Sequence, residues 1–197
     1  EAAKQEIIRR LYHARCQERK GHGNENELTK LEMLMQRMGL SDENRPVTAA
    51  ARLRTEQTGA PAAALQLDDG RIVTGKTSSL LGPSAAMLLN ALKALGGIDD
   101  EIPLLQPQII EPVQALKCKY LGNHNPRLHT DEVLVALSVS AATSEMAARA
   151  IEQLPKLKGL EAHTTVILSP VDENVFRRLG VNLTSDPVYQ THKLYHK

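Results

Sequence analysis

Aromatic residues are scarce. They make up 3% of the chain, with no Trp and a single Phe. The core must therefore be built from Leu, Ile, Val, Ala and Met, and the stacking platforms used for single-stranded nucleic acid have little material to draw on. Neither sign of charge is in excess, at a formal net charge of +1. The basic groups Arg9-Arg10, Arg52 with Arg54, and Arg177-Arg178 sit among acids and read as solvated helix faces, not as a phosphate-backbone stripe. No nucleic-acid partner is expected. Cys16 and Cys118 are the two cysteines, far apart, which fits a reducing cytoplasm and no disulfide framework. No stretch approaches the ~20 apolar residues of a membrane span and no signal-peptide pattern stands out, so no membrane partner is expected. The chain opens EAAKQEIIRRL, already in helical stride and without Met, as a piece of something longer would.

What is present is ordinary globular material: 197 residues, 42% hydrophobic and 24% charged. That suits one domain, or one plus a smaller subdomain. Residues 1–60 read as helical. Ile7, Ile8, Leu11 and Ala14 share one helical face, GHGN at 21–24 breaks it, and Leu28, Leu31, Leu34, Met35 and Met38 form a second stripe ending at Gly39. Pro46 suits the first turn of a third helix that runs to Gly59.

From Pro61 the pattern changes to strands. AAALQL and RIVTG flank the turn signal Asp68-Asp69-Gly70, predicting a hairpin over 62–67 and 70–75. A buried helix follows from about Ser84 to Leu95, with Asn90 its one polar oddity, expected to satisfy neighbouring backbone. Residues 98–155 form a Pro-rich, partly helical insertion. Within it 112–121 reads as helix, 132–141 leans to helix although its valines alternate as in a strand, and Ser144 caps a helix to Leu154. Then come a strand over 162–169, a helix from Asp172 to Leu179 and a strand over 181–185. The fold class is α/β with α+β character: a helical segment (1–60) followed by a layered α/β subdomain (61–197).

GRIVTGKT at 70–77 spells the phosphate-loop pattern of nucleotide hydrolases. The context rejects it. Arg, Ile, Val and Thr between the glycines favour a strand, the preceding turn is a hairpin turn, and Pro83 interrupts the helix that should begin at Lys76. A different set survives at strand ends and helix starts: Lys76, Thr77, Ser78, Ser84, Ser169 and Asp172. One ammonium, several hydroxyls and helix N-termini suit a small anionic or phosphorylated ligand. Local capping explains the same residues without a ligand. His129, Asp131 and His163 are the candidates for acid–base chemistry. The pairs His124 with His129 and His192 with His196 lack a third ligand nearby, so no metal and no cofactor is expected.

Three blocks, VTGKTSSLLGPSAAMLLNALKALGGI, NPRLHTDEVLVALS and EAHTTVILSPVDENVFRRLGVNLTSDPVY, resemble an uncharacterised bacterial "domain of unknown function" family. Its members are longer, some carry an ATP-dependent peptidase label, and the resemblance makes this chain the C-terminal part. It also implies a topology like the cytidine deaminase fold. In deaminases a His or Cys followed by Ala-Glu, and a Pro-Cys-x-x-Cys pair, supply the zinc ligands and the proton carrier. The matching places here read Ser84-Ala85-Ala86 and Ser169-Pro170-Val171-Asp172, which excludes zinc deamination at them. Three readings follow: a region binding a small anionic ligand, an enzyme whose site is shared with the N-terminal remainder of the full-length chain, or a structural module that forms a homo-oligomer.

Overall fold

Helix α1 (Ala2–Arg19) and helix α2 (Glu25–Arg37) form an antiparallel pair. The side chain of Asn24 accepts from the amides of Asn26 and Glu27 and so starts α2 after the GHGN break. Ile8, Leu11, Tyr12, Met35 and Leu40 make their shared core. One turn of 3-10 helix at Asp42–Asn44 leads into α3 (Pro46–Thr58), which begins on its proline and ends at Gly59 in the left-handed conformation. The structure is a computed structural model and describes residues 2–190 of the 197. His192 and His196 lie outside the described residues.

The described residues hold one four-stranded sheet, built from β1 (Ala62–Gln66), β2 (Ile72–Lys76), β3 (Glu161–Thr164) and β4 (Asn182–Ser185) in the order β2-β1-β3-β4. The β1–β2 and β1–β3 pairs are antiparallel and β3–β4 is parallel. Alternation along each strand divides the sheet's surfaces. Leu65, Ala162 and Leu183 stand in one row across the pairings and join the main core. The neighbouring row, Ala64, His163 and Thr184, faces the other way, toward α1 and α3. The N-terminal helices therefore cover one face of the sheet. The opposite face is covered by α4 (Pro83–Gly96), α6 (Thr130–Ser140), α7 (Glu145–Ile151) and α8 (Pro170–Arg178). Met87, Leu88, Leu92, Leu137 and Phe176 are fully buried there, each contributing about 1.5–3 kcal/mol from burial.

The glycines of GRIVTGKT have other duties than phosphate binding. Gly70 sits in the hairpin turn at φ +86°. Gly75 lies in β2, where a Cβ would stand 2.1 Å from the backbone nitrogen of Met87. Only a residue without a side chain lets α4 pack this closely on the strand. Asn90 does satisfy backbone: its Nδ2 donates to Thr74 O at 2.8 Å.

Strand β2 starts two residues later than the expected 70, β1 and β4 shift by one residue, and further differences lie elsewhere. The helix expected over 112–121 begins a turn earlier, as α5 (Pro107–Ala115), with Pro107 at its start and Pro112 inside. It then widens into a π-type turn over Leu116–Tyr120. The helix from Ser144 stops at Ile151, because Pro155 cannot supply an amide to extend it, and Leu154–Leu157 is a separate 3-10 turn. The strand expected over 162–169 spans only 161–164. Thr165 N–H reaches Ala62 O at 2.9 Å, and beyond that β1 has no residue left to pair. Helix α8 starts at Pro170, two residues before the expected Asp172. Residues 130–140 are helical, as the sequence leaned: Val133 and Leu137 are buried while Val135 and Val139 are exposed.

Candidate functional site

The N-termini of α4, α6 and α8 open on one cleft of about 730 Å³. The loop after β2 is tied to the segment before α6 by Leu128 N–H donating to Leu80 O, 2.9 Å. Gly82, Pro83 and Ser84 bring the first turn of α4 to the cleft, and among the described residues no side chain caps it. Ser169 caps α8, its Oγ accepting from Asp172 N–H at 3.2 Å. His129 stands at the cap position of α6 and lines the same cleft. Helix N-termini carry partial positive charge, and although Asp172 already takes the first amide of α6 and Ser169 caps α8, the uncapped start of α4 leaves amides that favour an anion.

Asp172 joins two of these helices. Its Oδ1 accepts from Thr130 N–H (2.7 Å) and from the Thr130 hydroxyl (2.5 Å) at the start of α6. Its Oδ2 accepts from Ser169 Oγ (2.8 Å) and lies 3.0 Å from His129 Nδ1. An ionised carboxylate only accepts, so Nδ1 carries the hydrogen in that contact. Burial pushes the Asp172 carboxyl up, but the bonds from His129 and Thr130 outweigh it and hold it below the usual range. The same contact with Asp172 raises His129 above the ordinary histidine value, against a smaller opposing effect of burial. Ser169 Oγ lies 3.4 Å from the same Nδ1, so Ser169, His129 and Asp172 do not form a nucleophile–base–acid relay, which needs the serine on the other ring nitrogen. His129 Nε2 has no bond to the protein among the described residues.

A second ion pair fixes the backbone of His129. Glu132 Oε2 accepts its N–H at 2.7 Å and takes Lys117 Nζ at 2.8 Å, while the buried ammonium also reaches Arg127 O at 2.7 Å. The remaining walls carry His22, Asn123, His124, Arg127 and Tyr189. Arg127 is steadied by donating to Ser78 O (2.7 Å), and the Arg19 guanidinium lies 5.3 Å from the Tyr189 ring centroid. Lys20, also on the cleft, pairs with Glu173 at 3.0 Å.

The structure thus brings Ser84, Ser169, Asp172 and His129 together. Lys76 is exposed at the end of β2 and lines no part of this cleft. Ser78 closes its own turn, accepting from Leu80 and Leu81 amides. Thr77 is buried and meets the cleft only through Gln190, whose Nε2 donates to its hydroxyl at 3.4 Å. Asp131 is exposed beside the cleft and accepts from Glu132 N–H. His163 is fully buried on the other face of the sheet, with Nδ1 2.8 Å from Thr184 Oγ1 and its ring 5.0 Å from that of Tyr12. Burial lowers its pKa, against the opposing pull of Asp186. Sequence reading missed Thr130, Lys117, Arg127 and Tyr189. Only Thr130 carried a signal, as the first residue of a helix start.

Among the described residues no three His, Cys, Asp or Glu side chains converge as a metal site would need, and no helix is long and apolar enough to cross a membrane. Comparison with known proteins adds the family. Residues 43–195 match "Domain of unknown function DUF1846, C-terminal". The whole chain is 57% identical to a UPF0371 protein of Corynebacterium efficiens and 53% identical to one of Streptococcus pyogenes serotype M5. In both cases it spans 40% of the relative's length. The chain belongs to the DUF1846 C-terminal family, an uncharacterised bacterial family to which no specific activity is attached.

Proposed function

We propose that the cleft between α4, α6 and α8 binds a small anionic ligand, in a bacterial protein that works in the cytoplasm. The observation that carries this is the meeting of three helix N-termini with a histidine held by a buried carboxylate. Amides of the uncapped α4 and the Arg127 guanidinium supply donors, and His129 adds a positive charge when protonated. The strand order and the placement of Ser84 and Ser169 at the two helix starts support a deaminase-like layout whose zinc-ligand positions carry hydroxyls instead.

One observation favours chemistry beyond binding. With Nδ1–H fixed on Asp172, the free Nε2 of His129 can take or give a proton, and the pair with Asp172 stabilises the charged ring. In this reading the site is shared with the part of the relatives' length that this chain does not span. The test is the melting temperature of the full-length protein titrated with inorganic phosphate, sulfate and carboxylates. Binding to the native state raises stability by about 2.7 kcal/mol at a hundredfold excess over Kd. His129→Ala and Arg127→Ala should shrink the shift, and shrink it more below neutral pH for the histidine variant. An equal shift in all three proteins, or none in any, would refute the reading.

A further inference from the structure

The outer edge of the sheet holds a second groove, of about 970 Å³, on the far side of β2 from β1. The pairing register decides which groups face it. Leu67 N–H bonds Arg71 O and Thr77 N–H bonds Pro61 O, so residues 71, 73, 75 and 77 use their backbone groups on β1. Those of Ile72, Thr74 and Lys76 point outward. One of the six, Thr74 O, takes Asn90 Nδ2. The amides of Ile72, Thr74 and Lys76 and the carbonyls of Ile72 and Lys76 have no partner among the described residues. β2 is short, but it is an open edge.

The groove beside this edge is lined by Arg54, Arg71, Asn90, Lys93, Asp99 and Asp100. Several of these polar groups are engaged. Lys93 Nζ donates to the backbone carbonyl of Asp100, whose carboxylate has no partner among the described residues; Asp99 accepts from Glu101 N–H, and Arg71 pairs with Asp69. Arg54 is not: its guanidinium makes no hydrogen bond among the described residues, and its Nε is shielded from solvent without a partner. A guanidinium without an acceptor is costly, and a carboxylate on its Nη1–Nη2 edge is the group its planar fork matches.

We propose that this edge is a docking strip for an extended acidic segment of a partner protein, which adds a strand to β2 and places a carboxylate on Arg54. The open amides give affinity without sequence preference, and Arg54 selects the acidic side chain. Arg54, on α3, and the edge, on β2, contribute independently, and their coincidence in one groove is what the segment would read.

The test uses the full-length protein and a fluorescein-labelled peptide of alternating glutamate and valine, about ten residues long so that it overlaps the whole edge. Anisotropy should report binding, and amide exchange at Ile72, Thr74 and Lys76 should slow on adding it. Arg54→Ala should weaken binding about tenfold, the loss of one charge-assisted contact. A peptide N-methylated on alternate residues should not bind, which separates strand pairing from simple charge attraction. Equal binding of a lysine–valine peptide, or unchanged exchange at the three amides, would overturn the proposal. So would protection of the same amides that rises with protein concentration and needs no peptide, since the occupant would then be a second copy of the protein.

Discussion

Removing the Asp172 carboxylate should cost more than any other single truncation in the cleft. The side chain is 9% exposed and accepts from four donors: the Thr130 amide and hydroxyl, the Ser169 hydroxyl and His129 Nδ1–H. In Asp172→Ala the hydroxyls can rotate to other acceptors, but the buried Thr130 amide cannot move. An unsatisfied buried donor costs about 1–3 kcal/mol, and the loss of bonds to a charged acceptor adds to it. Because the four bonds are not additive, a total of about 4 kcal/mol is expected. For a chain of this size that is a fall in melting temperature of roughly 8–16 °C. Asp172→Asn keeps an oxygen for Thr130 but turns an NH2 group toward Ser169 and His129, and should cost about half as much. Urea denaturation of the two variants and the parent measures both. The pH dependence carries its own sign. His129 is raised, so its share is complete below the unfolded value near ~6.5 and fades as pH climbs through the higher folded value; Asp172 is lowered, so its share is complete above ~3.9 and fades as pH falls through the lower folded value. The gap between parent and Asp172→Ala should therefore be widest between about pH 4 and about pH 6.5. A cost below about 1 kcal/mol, or a gap that does not change across pH 4–9, would refute the role given to this carboxylate.

Two further outcomes follow from the same geometry. Gly75→Ala places a methyl group against the backbone of Met87, which no side-chain rotation can relieve, so it should destabilise by about 3 kcal/mol or separate α4 from β2; a neutral effect on thermal unfolding would show that the two elements can part cheaply. In histidine NMR titrations His129 should titrate above the ordinary imidazole value and His163 below it, since one is held by a carboxylate and the other is enclosed; shifts in the same direction would contradict the two environments.

The hairpin was readable because its turn residues and β-branched run act locally, and the starts of α4 and α6 were readable because Ser84 and Thr130 mark them, whereas α8 was begun two residues late, at Asp172. Local signals also dismissed the phosphate loop, although they could not show that Gly75 is required by α4. The contact between His129 and Asp172 spans 43 positions and leaves no mark on either neighbourhood. Lys76 was placed with the serines because it follows a strand, yet the strand end leaves it exposed away from the cleft. Tyr189 and Lys20 reach the cleft from opposite ends of the chain, where no periodicity links them. The strand over 162–169 was overestimated because apolar β-branched residues continue past the point where the partner strand ends.

Arg45 has a consequence for how the chain is made. It is fully buried at the head of α3, where Nε donates to Thr184 Oγ1 and Nη2 to the carbonyls of Ala162 and Asn182, while Nη1 pairs with Glu161. Every one of these partners lies more than a hundred positions further along the chain. During synthesis the guanidinium emerges more than a hundred residues before these partners and must stay hydrated until β3 and β4 have left the ribosome, because a buried charge without its acceptors is prohibitively costly. The N-terminal helices can pair with each other in that interval, but they cannot seat on the sheet. Closure of this face is thus a cooperative event that waits for β3 and β4.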